Sequence, residues 1–215
     1  IRDAQKDTYL TQTFDVFDVE TGAYDKKVRD VEPIGDIESY LEKNPIFVNY
    51  PHSDIVMTKI NETVSSIKRI KEMCDESNVN LVIVTAPSYY EYLKCFSKED
   101  ILDFYTKMAE ITPFWDFASS SISKEPRYFY DETHFRNAVG KMTIARMFND
   151  ISVYYPDDFG EVVTVENVKE HVDDMFDIIN DTNEYTLKVP ILMYHHIKEG
   201  ADLDVTITPE LFEEH

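Results

Sequence analysis

The stretch that decides the fold is Asn80 to Pro87, which reads NLVIVTAP. It is short and rich in β-branched residues, and a polar residue and a proline bound it, so it predicts a strand buried on both faces. The apolar residues before it recur at spacings of three and four and predict a helix that ends near Ser77 and Asn78. These apolar residues are Val56, Ile60, Val64, Ile67, Ile70 and Cys74. Ser53 and Asp54 are the candidates for the N-terminal cap of this helix.

The elements that follow continue the alternation of strand and helix. Ser97 to Asp100 (SKED) is similar to a capping box and predicts a helix through Ile101, Phe104, Tyr105 and Met108. Phe114 to Phe117 (FWDF) predicts a second strand, and Arg127 to Tyr130 (RYFY) a third extended piece. Two further helices are marked by Ala138, Met142, Ala145, Arg146 and Met147, and by Val165, Val168, Val172, Met175, Phe176 and Ile179 with Thr164 as cap. This layout predicts an α/β domain with a mainly parallel sheet.

The two ends of the chain carry weaker signals. Thr13 to Val19 (TFDVFDV) alternates like a half-buried strand, and Glu20 to Gly22 supplies a turn. Asn180 to Asn183 is polar and typical of a linker, and Val189 to Tyr194 (VPILMY) predicts a new buried strand. We therefore predict one large domain over 1–183, incomplete at its N-terminus, and the beginning of a second domain over 184–215.

Composition excludes several classes of function. The chain carries 42 acidic against 21 basic residues, a net charge of -21, which repels phosphate backbones and anionic lipids alike, so nucleic acid is not an expected partner. The five glycines are too scattered for a dinucleotide fingerprint or a P-loop. The longest apolar runs, Leu81 to Val84 and Val189 to Tyr194, are far shorter than the roughly 20 residues that cross a bilayer.

The two cysteines do not indicate a metal site. Cys74 and Cys95 have no paired Cys or His nearby, which excludes a four-thiolate zinc site. Cys74 falls on the apolar stripe of its helix and is expected to be a buried free thiol. A disulfide between the two remains open.

The strongest candidate site is Asp131 to His134 (DETH), which follows an extended aromatic run and precedes a helix. In parallel α/β sheets ligands bind at the carboxyl ends of strands, and the tetrad is predicted to lie at such an end. A carboxylate three residues before a histidine can accept the imidazole Nδ1 proton and leave Nε2 free to take a proton from a nucleophile. The same string also arises from a loop cap with an incidental histidine. Asp131 and His134 are the predicted catalytic residues.

Other polar and aromatic residues receive plainer interpretations. His52 is expected to be an exposed loop residue, and His171 to lie solvated on the charged face of its helix. Trp115 is expected to pack in the core rather than to stack on a sugar.

The run YFYDETHFRNAVGKMTIARMF resembles the C-terminal catalytic block of the SGNH hydrolase superfamily, which includes esterases and cell-wall acyl-transfer proteins. His134, Asn137 and Gly140 fall where those relatives keep the base and the small helix residue behind it. The resemblance covers about residues 1–180, since LVIVTAP, FWDF and YPDDFGEVVTVENV also match. It implies a three-layer α/β/α fold of flavodoxin type, with His134 as base and Asp131 as its partner.

The resemblance also implies a serine nucleophile in a Gly-Asp-Ser block, and this chain contains no such block. Gly35 and Asp36 are followed by Ile37, and Ser53 is expected at a helix cap. Ser119 to Ser121 come late in the domain, on a loop that is more typical of structure than of a nucleophile. The family's first strand and nucleophile are therefore expected upstream of Ile1.

The segments VPILMYHHI and ITPELFEEH resemble the opening strand and first helix of polysaccharide deacetylases. His195 and His196 are neighbours on a predicted strand and point to opposite faces, so they are not expected to bind one metal ion together. The family's metal ligands are an aspartate pair and a His-x-x-x-His motif, both absent from this chain. A divalent metal is implied only for a remainder of that domain, and no cofactor is expected for the SGNH-like part.

Both resemblances concern acyl groups on glycans. They imply a carbohydrate esterase or O-acyltransferase that acts by serine-type acyl transfer on a cell-surface polysaccharide, outside the cytoplasm. Contact with a membrane is expected only through regions outside this chain. Two alternatives remain: a metal-dependent polysaccharide N-deacetylase with the SGNH-like part as accessory, and a non-catalytic glycan-binding module on a degenerate SGNH fold.

Overall fold

The computed structural model describes residues 36–181 throughout, together with the backbone of 16–17, 24–25, 196–197 and 206–207. The chain divides into two compact units, Ile1–Thr182 and Asn183–His215. Helices and strands alternate in the first unit, so the predicted α/β class is confirmed at that level.

Six α-helices lie in the described part of the chain. They are α1 (Ile37–Lys43), α2 (Ile60–Glu76), α3 (Tyr90–Leu93), α4 (Lys98–Ala109), α5 (Asn137–Phe148) and α6 (Val168–Asn180). Short 3₁₀ turns cover Pro45–Phe47, Ser121–Lys124 and Pro126–Tyr128. None of the helices in these ranges is long and apolar enough to cross a bilayer.

The described strands of the first unit form one small mixed sheet and one separate pair. The pair is β1 (Val16–Phe17) with β2 (Tyr24–Asp25), antiparallel. The sheet contains β3 (Val84–Thr85), β4 (Phe114–Asp116) and β5 (Glu161–Val163) in that order. β3 runs parallel to β4 with Val84 opposite Trp115, whereas β5 runs antiparallel with Trp115 opposite Val162. The described sheet is therefore mixed rather than mainly parallel.

The strand predicted over Asn80 to Pro87 is much shorter in the structure, and its burial on both faces is wrong. Val82 and Val84 are 52% and 40% exposed. The physical reason is packing, because Ile83 packs against the core cluster built on α4 and α6, whereas Val82 and Val84 point to the opposite face and belong to no core cluster of the described residues.

The helices predicted from the sequence are present, but only some of their first residues and N-terminal caps were predicted correctly. Ser97 caps α4 by accepting a hydrogen bond from the Asp100 amide, as predicted. α2 begins at Ile60 rather than near Ser53, and Lys59 caps it without a side-chain hydrogen bond. The predicted cap Thr164 is wrong, since Asn167 occupies the N-cap of α6.

Two hydrophobic clusters form the core of the part of the chain that the structure describes. The first joins α4 and α6 to one side of β4 through Phe114, Met108, Val172 and Met175. The second joins α1 and α5 to the other side of β4 around Phe117, with Tyr40, Phe129, Val139 and Phe159. Trp115 is half-buried against this second cluster and stacks on Phe117, which agrees with the core interpretation.

Both cysteines are free thiols, Cys95 buried and Cys74 only partly buried. Cys74 is therefore less enclosed than predicted, because the outer side of α2 faces solvent, with Ile70 and Met73 at least half exposed.

The second unit contains β6 (His196–Ile197) and β7 (Thr206–Ile207), which pair in parallel. The strand predicted over 189–194 lies outside the described residues. Of the predicted strand over 13–19, the described part is β1.

Candidate active site

The candidate site lies on a tight loop that leads into α5. Phe129 and Phe135 form an isolated antiparallel bridge, and the Tyr130 amide donates a 2.7 Å hydrogen bond to the His134 carbonyl. Asp131 and His134 are thereby held at the tip of a closed turn. The predicted extended piece over 127–130 is wrong in part, because a 3₁₀ turn ends at Tyr128. The loop thus follows a bridge, rather than a strand of the β3–β4–β5 sheet.

Asp131 and His134 form the predicted carboxylate–imidazole pair. His134 Nδ1 lies 2.8 Å from Asp131 Oδ1 and 2.9 Å from Oδ2. Asp131 Oδ1 also accepts hydrogen bonds from the Thr133 amide at 3.0 Å and the His134 amide at 2.9 Å. The carboxylate accepts only, so Nδ1 carries the proton and the lone pair of a neutral imidazole lies on Nε2.

The electrostatics of the pair favour an ionised Asp131. Partial burial alone would raise the pKa of Asp131, but the Thr133 amide and the His134 imidazole together lower it below its usual value. The His134 side chain is 65% exposed. Within residues 36–181, no group hydrogen-bonds to His134 Nε2. The imidazole therefore presents a proton-accepting nitrogen to solvent.

The loop is anchored from two sides. The Tyr89 amide, just beyond β3, donates a 2.9 Å hydrogen bond to the Glu132 carbonyl. The buried Tyr40 hydroxyl donates one of 2.7 Å to the Phe129 carbonyl. The Arg136 guanidinium lies 4.5 Å from the centre of the Tyr130 ring, a distance suited to a cation–π contact.

Two serines of the loop after β4 are held by hydrogen bonds. Ser120 is fully buried and caps the 3₁₀ turn through a hydrogen bond from the Ile122 amide. Ser121 is held by Asp158. Both therefore have structural roles, in line with the sequence interpretation.

Ser88 was missed by the sequence reasoning. It directly precedes Tyr89, whose amide contacts the site loop, and it is partly exposed, with Oγ donating to the Ala86 carbonyl at 3.4 Å. The available signal was its position at the carboxyl end of β3, where parallel sheets place ligand sites.

The other described histidines differ from one another. His52 is exposed as predicted, and its Nε2 lies 3.0 Å from Glu91 Oε2. The prediction for His171 is wrong, because its side chain is only 11% exposed and lies between Asp116 and Glu161. His195 lies outside the described residues, and of His196 only the backbone is described.

Among the described residues, no group of three or more His, Cys, Asp or Glu side chains is arranged to hold a metal ion. No family model, curated protein or solved structure matches the chain.

Proposed function

We propose that this chain belongs to a carbohydrate esterase or O-acyltransferase of SGNH type, which transfers an acyl group from or to a cell-surface polysaccharide through a serine nucleophile. The observation that carries the proposal is the pairing of the Asp131 carboxylate with His134 Nδ1 at 2.8 Å, with Nε2 turned to solvent. This is the orientation that a general base needs.

In this mechanism His134 Nε2 takes the proton from the serine hydroxyl while the serine Oγ bonds to the acyl carbon. The same nitrogen then gives that proton to the sugar oxygen as the ester C–O bond breaks, leaving an acyl-enzyme. In the second half-reaction water or an acceptor hydroxyl attacks the acyl carbon and loses its proton to Nε2. The bond between the acyl carbon and the serine Oγ then breaks, and Nε2 returns the proton to Oγ, which regenerates the free serine. Asp131 stays ionised and stabilises the imidazolium that forms in each half.

The serine is proposed to come from a strand that is not part of this sequence, beside the edge of β3 that has no partner among the described strands. Val84 of this edge strand and Val82 just before it are exposed, and such an edge is suited to pairing with a further strand. In a parallel pair the carboxyl ends meet at the same side of the sheet. A serine that followed the added strand would lie near the Ala86–Tyr89 loop, which contacts Glu132.

The finer fold assignment, three layers in the order α/β/α, belongs to the same proposal. It is supported by the alternation along β4, since Phe114 packs with α4 and α6 while Phe117 packs in the cluster that contains Val139 of α5. Helices on both sides of a sheet are the arrangement of that fold class.

The decisive assay measures acetate release from an O-acetylated polysaccharide by the full-length protein that contains these residues. His134→Ala is expected to lower kcat by roughly 10³-fold or more, because the base is lost. His52→Ala is the matched control, since it removes another exposed imidazole paired with a carboxylate. It is expected to leave the rate unchanged. Ser88→Ala reports whether the serine inside the chain is the nucleophile instead.

Three outcomes would overturn the proposal. Full activity in His134→Ala would show that His134 is not the general base. Chelator-sensitive acetate release from N-acetylglucosamine polymers, without labelling by a fluorophosphonate, would favour the metal-dependent deacetylase. Glycan binding that survives His134→Ala in a protein that fluorophosphonates do not label would favour a binding module.

A further inference from the structure

A second histidine–carboxylate cluster lies on the side of β4 that faces α4 and α6. His171 Nε2 is 2.6 Å from Asp116 Oδ2, and His171 Nδ1 is 2.9 Å from Glu161 Oε2. Asp116 is almost fully buried, whereas Glu161 is about half exposed. The Tyr105 ring of α4 stacks on the imidazole with the ring centres 6.3 Å apart.

With both carboxylates ionised, the geometry fits a doubly protonated ring. Ionised carboxylates only accept hydrogen bonds, so both His171 nitrogens must donate, which only the imidazolium can do. Burial alone would lower the pKa of His171, but the hydrogen bonds and charges of Asp116 and Glu161 outweigh it and raise that pKa. The ionisable groups facing the ring are Asp116 from β4, Glu161 from β5 and Tyr105 from α4. Within residues 36–181, His171 is the cation that pairs with either carboxylate.

Asp116 connects His171 to residues at the carboxyl ends of β3 and β4. Its Oδ1 accepts hydrogen bonds from the Tyr105 hydroxyl at 3.1 Å, from the Ala118 amide at 3.0 Å and from the Thr85 hydroxyl. One carboxylate therefore holds the last residue of β3, the turn after β4 and a residue of α4. An uncompensated charge at so buried a position would be costly, so its arrangement depends on the imidazolium.

Hydrogen bonds continue from that turn to the candidate site. The Ala118 carbonyl accepts from the Ser88 amide at 3.3 Å. The next residue, Tyr89, donates to the Glu132 carbonyl between Asp131 and His134. The buried cluster is thus connected to the loop of the site through backbone groups of two adjacent turns.

We propose that His171 is a proton-dependent positioning residue, which as an imidazolium holds Asp116 in place and thereby fixes the Ala86–Tyr89 turn against the site loop. Loss of one proton would leave a lone pair facing a carboxylate and would loosen this turn. The proposal does not depend on the hydrolase assignment, because it concerns only contacts inside the described residues.

The sign of the pH effect follows from the raised pKa of His171. The stabilisation is fully present below about 6.5, the ordinary pKa of an unfolded histidine, and is lost as pH rises through the higher folded value. Each unit of difference between the two values changes the folding equilibrium by a factor of about ten.

The test combines a titration with hydrogen exchange on this chain. Histidine-selective NMR is expected to show both His171 nitrogens protonated above pH 6.5, with a later transition. The protection factor of the Tyr89 amide, corrected for intrinsic exchange, is expected to fall with the same midpoint. His171→Gln should abolish that pH dependence, while His52→Gln, which replaces a mostly exposed imidazole, should preserve it.

Two results would overturn the proposal. One is a His171 titration at or below the ordinary histidine value. The other is a Tyr89 protection factor that depends on pH equally in the wild type and in His171→Gln. If His171→Gln does not fold, Glu161→Gln tests the same point, since it removes one carboxylate charge at a half-exposed position and should lower the His171 midpoint.

Discussion

The hydroxyl of Tyr40 in α1 donates a 2.7 Å hydrogen bond to the carbonyl of Phe129, 89 residues further along the chain. Both residues are buried, and Phe129 forms the bridge with Phe135 that closes the site loop. A buried carbonyl without a donor is costly, so this bond fixes where the loop leaves the core. The candidate site therefore depends on a residue that is distant in sequence.

Tyr40→Phe is expected to lower the free energy of unfolding by about 1–3 kcal/mol, because the Phe129 carbonyl loses its donor where water does not reach. Urea denaturation followed by circular dichroism measures the change. The control is Tyr154→Phe, at a tyrosine that is 73% exposed, for which the change should stay within about 0.5 kcal/mol. Equal urea midpoints for Tyr40→Phe and the wild type would contradict the assigned role of this bond.

Gly160 and Gly140 both lie next to aromatic rings, but only the substitution of Gly160 by alanine should destabilise the protein. Gly160 has φ +81°, and an added Cβ would lie 2.1 Å from Cε1 of the fully buried Phe117. Gly160→Ala is therefore expected to cost about 2–4 kcal/mol in unfolding free energy.

Gly140 in α5 is the matched control, since its added Cβ would meet Phe135 at 3.4 Å, an ordinary contact. Gly140→Ala is expected to lie between no change and a stabilisation of about 1 kcal/mol from better helix propensity. Thermal and urea unfolding of both variants checks the pair. A Gly160→Ala protein as stable as Gly140→Ala would show that the turn and the Phe117 ring can move apart.

Local signals in the sequence predicted the features that depend on neighbouring residues. The hydrogen bond from the Asp100 amide to Ser97 spans three residues, and so does the contact between Asp131 and His134. Such contacts follow from short-range geometry, so the cap and the candidate pair could be predicted before any tertiary structure was known.

The buried His171 was missed although part of its signal was present. It follows Val168 by three residues and precedes Met175 by four, and both are buried, so helical spacing alone sets His171 on the inner stripe of α6. The acidic residues around it suggested a solvated face instead. Its partner Asp116 lies 55 residues away, and nothing in the local pattern indicates that pairing.

The length and burial of the strand predicted over Asn80 to Pro87 were overestimated, again because its contacts with distant residues are not visible in the local sequence. A continuous apolar run is typical of a strand covered on both faces, but the pattern does not reveal which neighbours are present. In the described part of the chain Val82 and Val84 belong to no core cluster and stay exposed, and the pairing of β3 with β4 is confined to Val84–Thr85. The spacing of apolar residues therefore predicts whether a segment is a helix or a strand, but it does not predict which other elements will cover that segment.

Acid should release the turn that Asp131 organises. The folded pKa of Asp131 lies below its usual value, so its hydrogen bonds to Thr133 and His134 contribute fully above about pH 3.9, the unfolded value, and are lost as pH falls through the lower folded value. The Thr133 and His134 amide shifts, followed by NMR, should therefore move with a midpoint below 3.9. A midpoint above 3.9 would mean that burial outweighs the hydrogen bonds.

Asp131→Asn should separate the chemical role of the carboxylate from its role in the turn. The amide oxygen of Asn can still accept from the Thr133 and His134 amides, so the loop should keep its shape and the unfolding free energy should change little. An amide group does not stabilise the imidazolium or fix Nδ1 as the protonated nitrogen in the way that a carboxylate does.

Under the proposed function, kcat for acetate release by the full-length protein should fall by roughly 10³–10⁴-fold in Asp131→Asn. In the same variant, ¹⁵N shifts of the His134 ring should show loss of the single tautomer protonated at Nδ1. Asp36→Asn is the control, because that exposed carboxylate organises the start of α1 through the Glu38 amide and the Ser39 hydroxyl. A wild-type rate in Asp131→Asn, with the tautomer shift observed, would separate the pair from catalysis and leave it as a structural element of the loop.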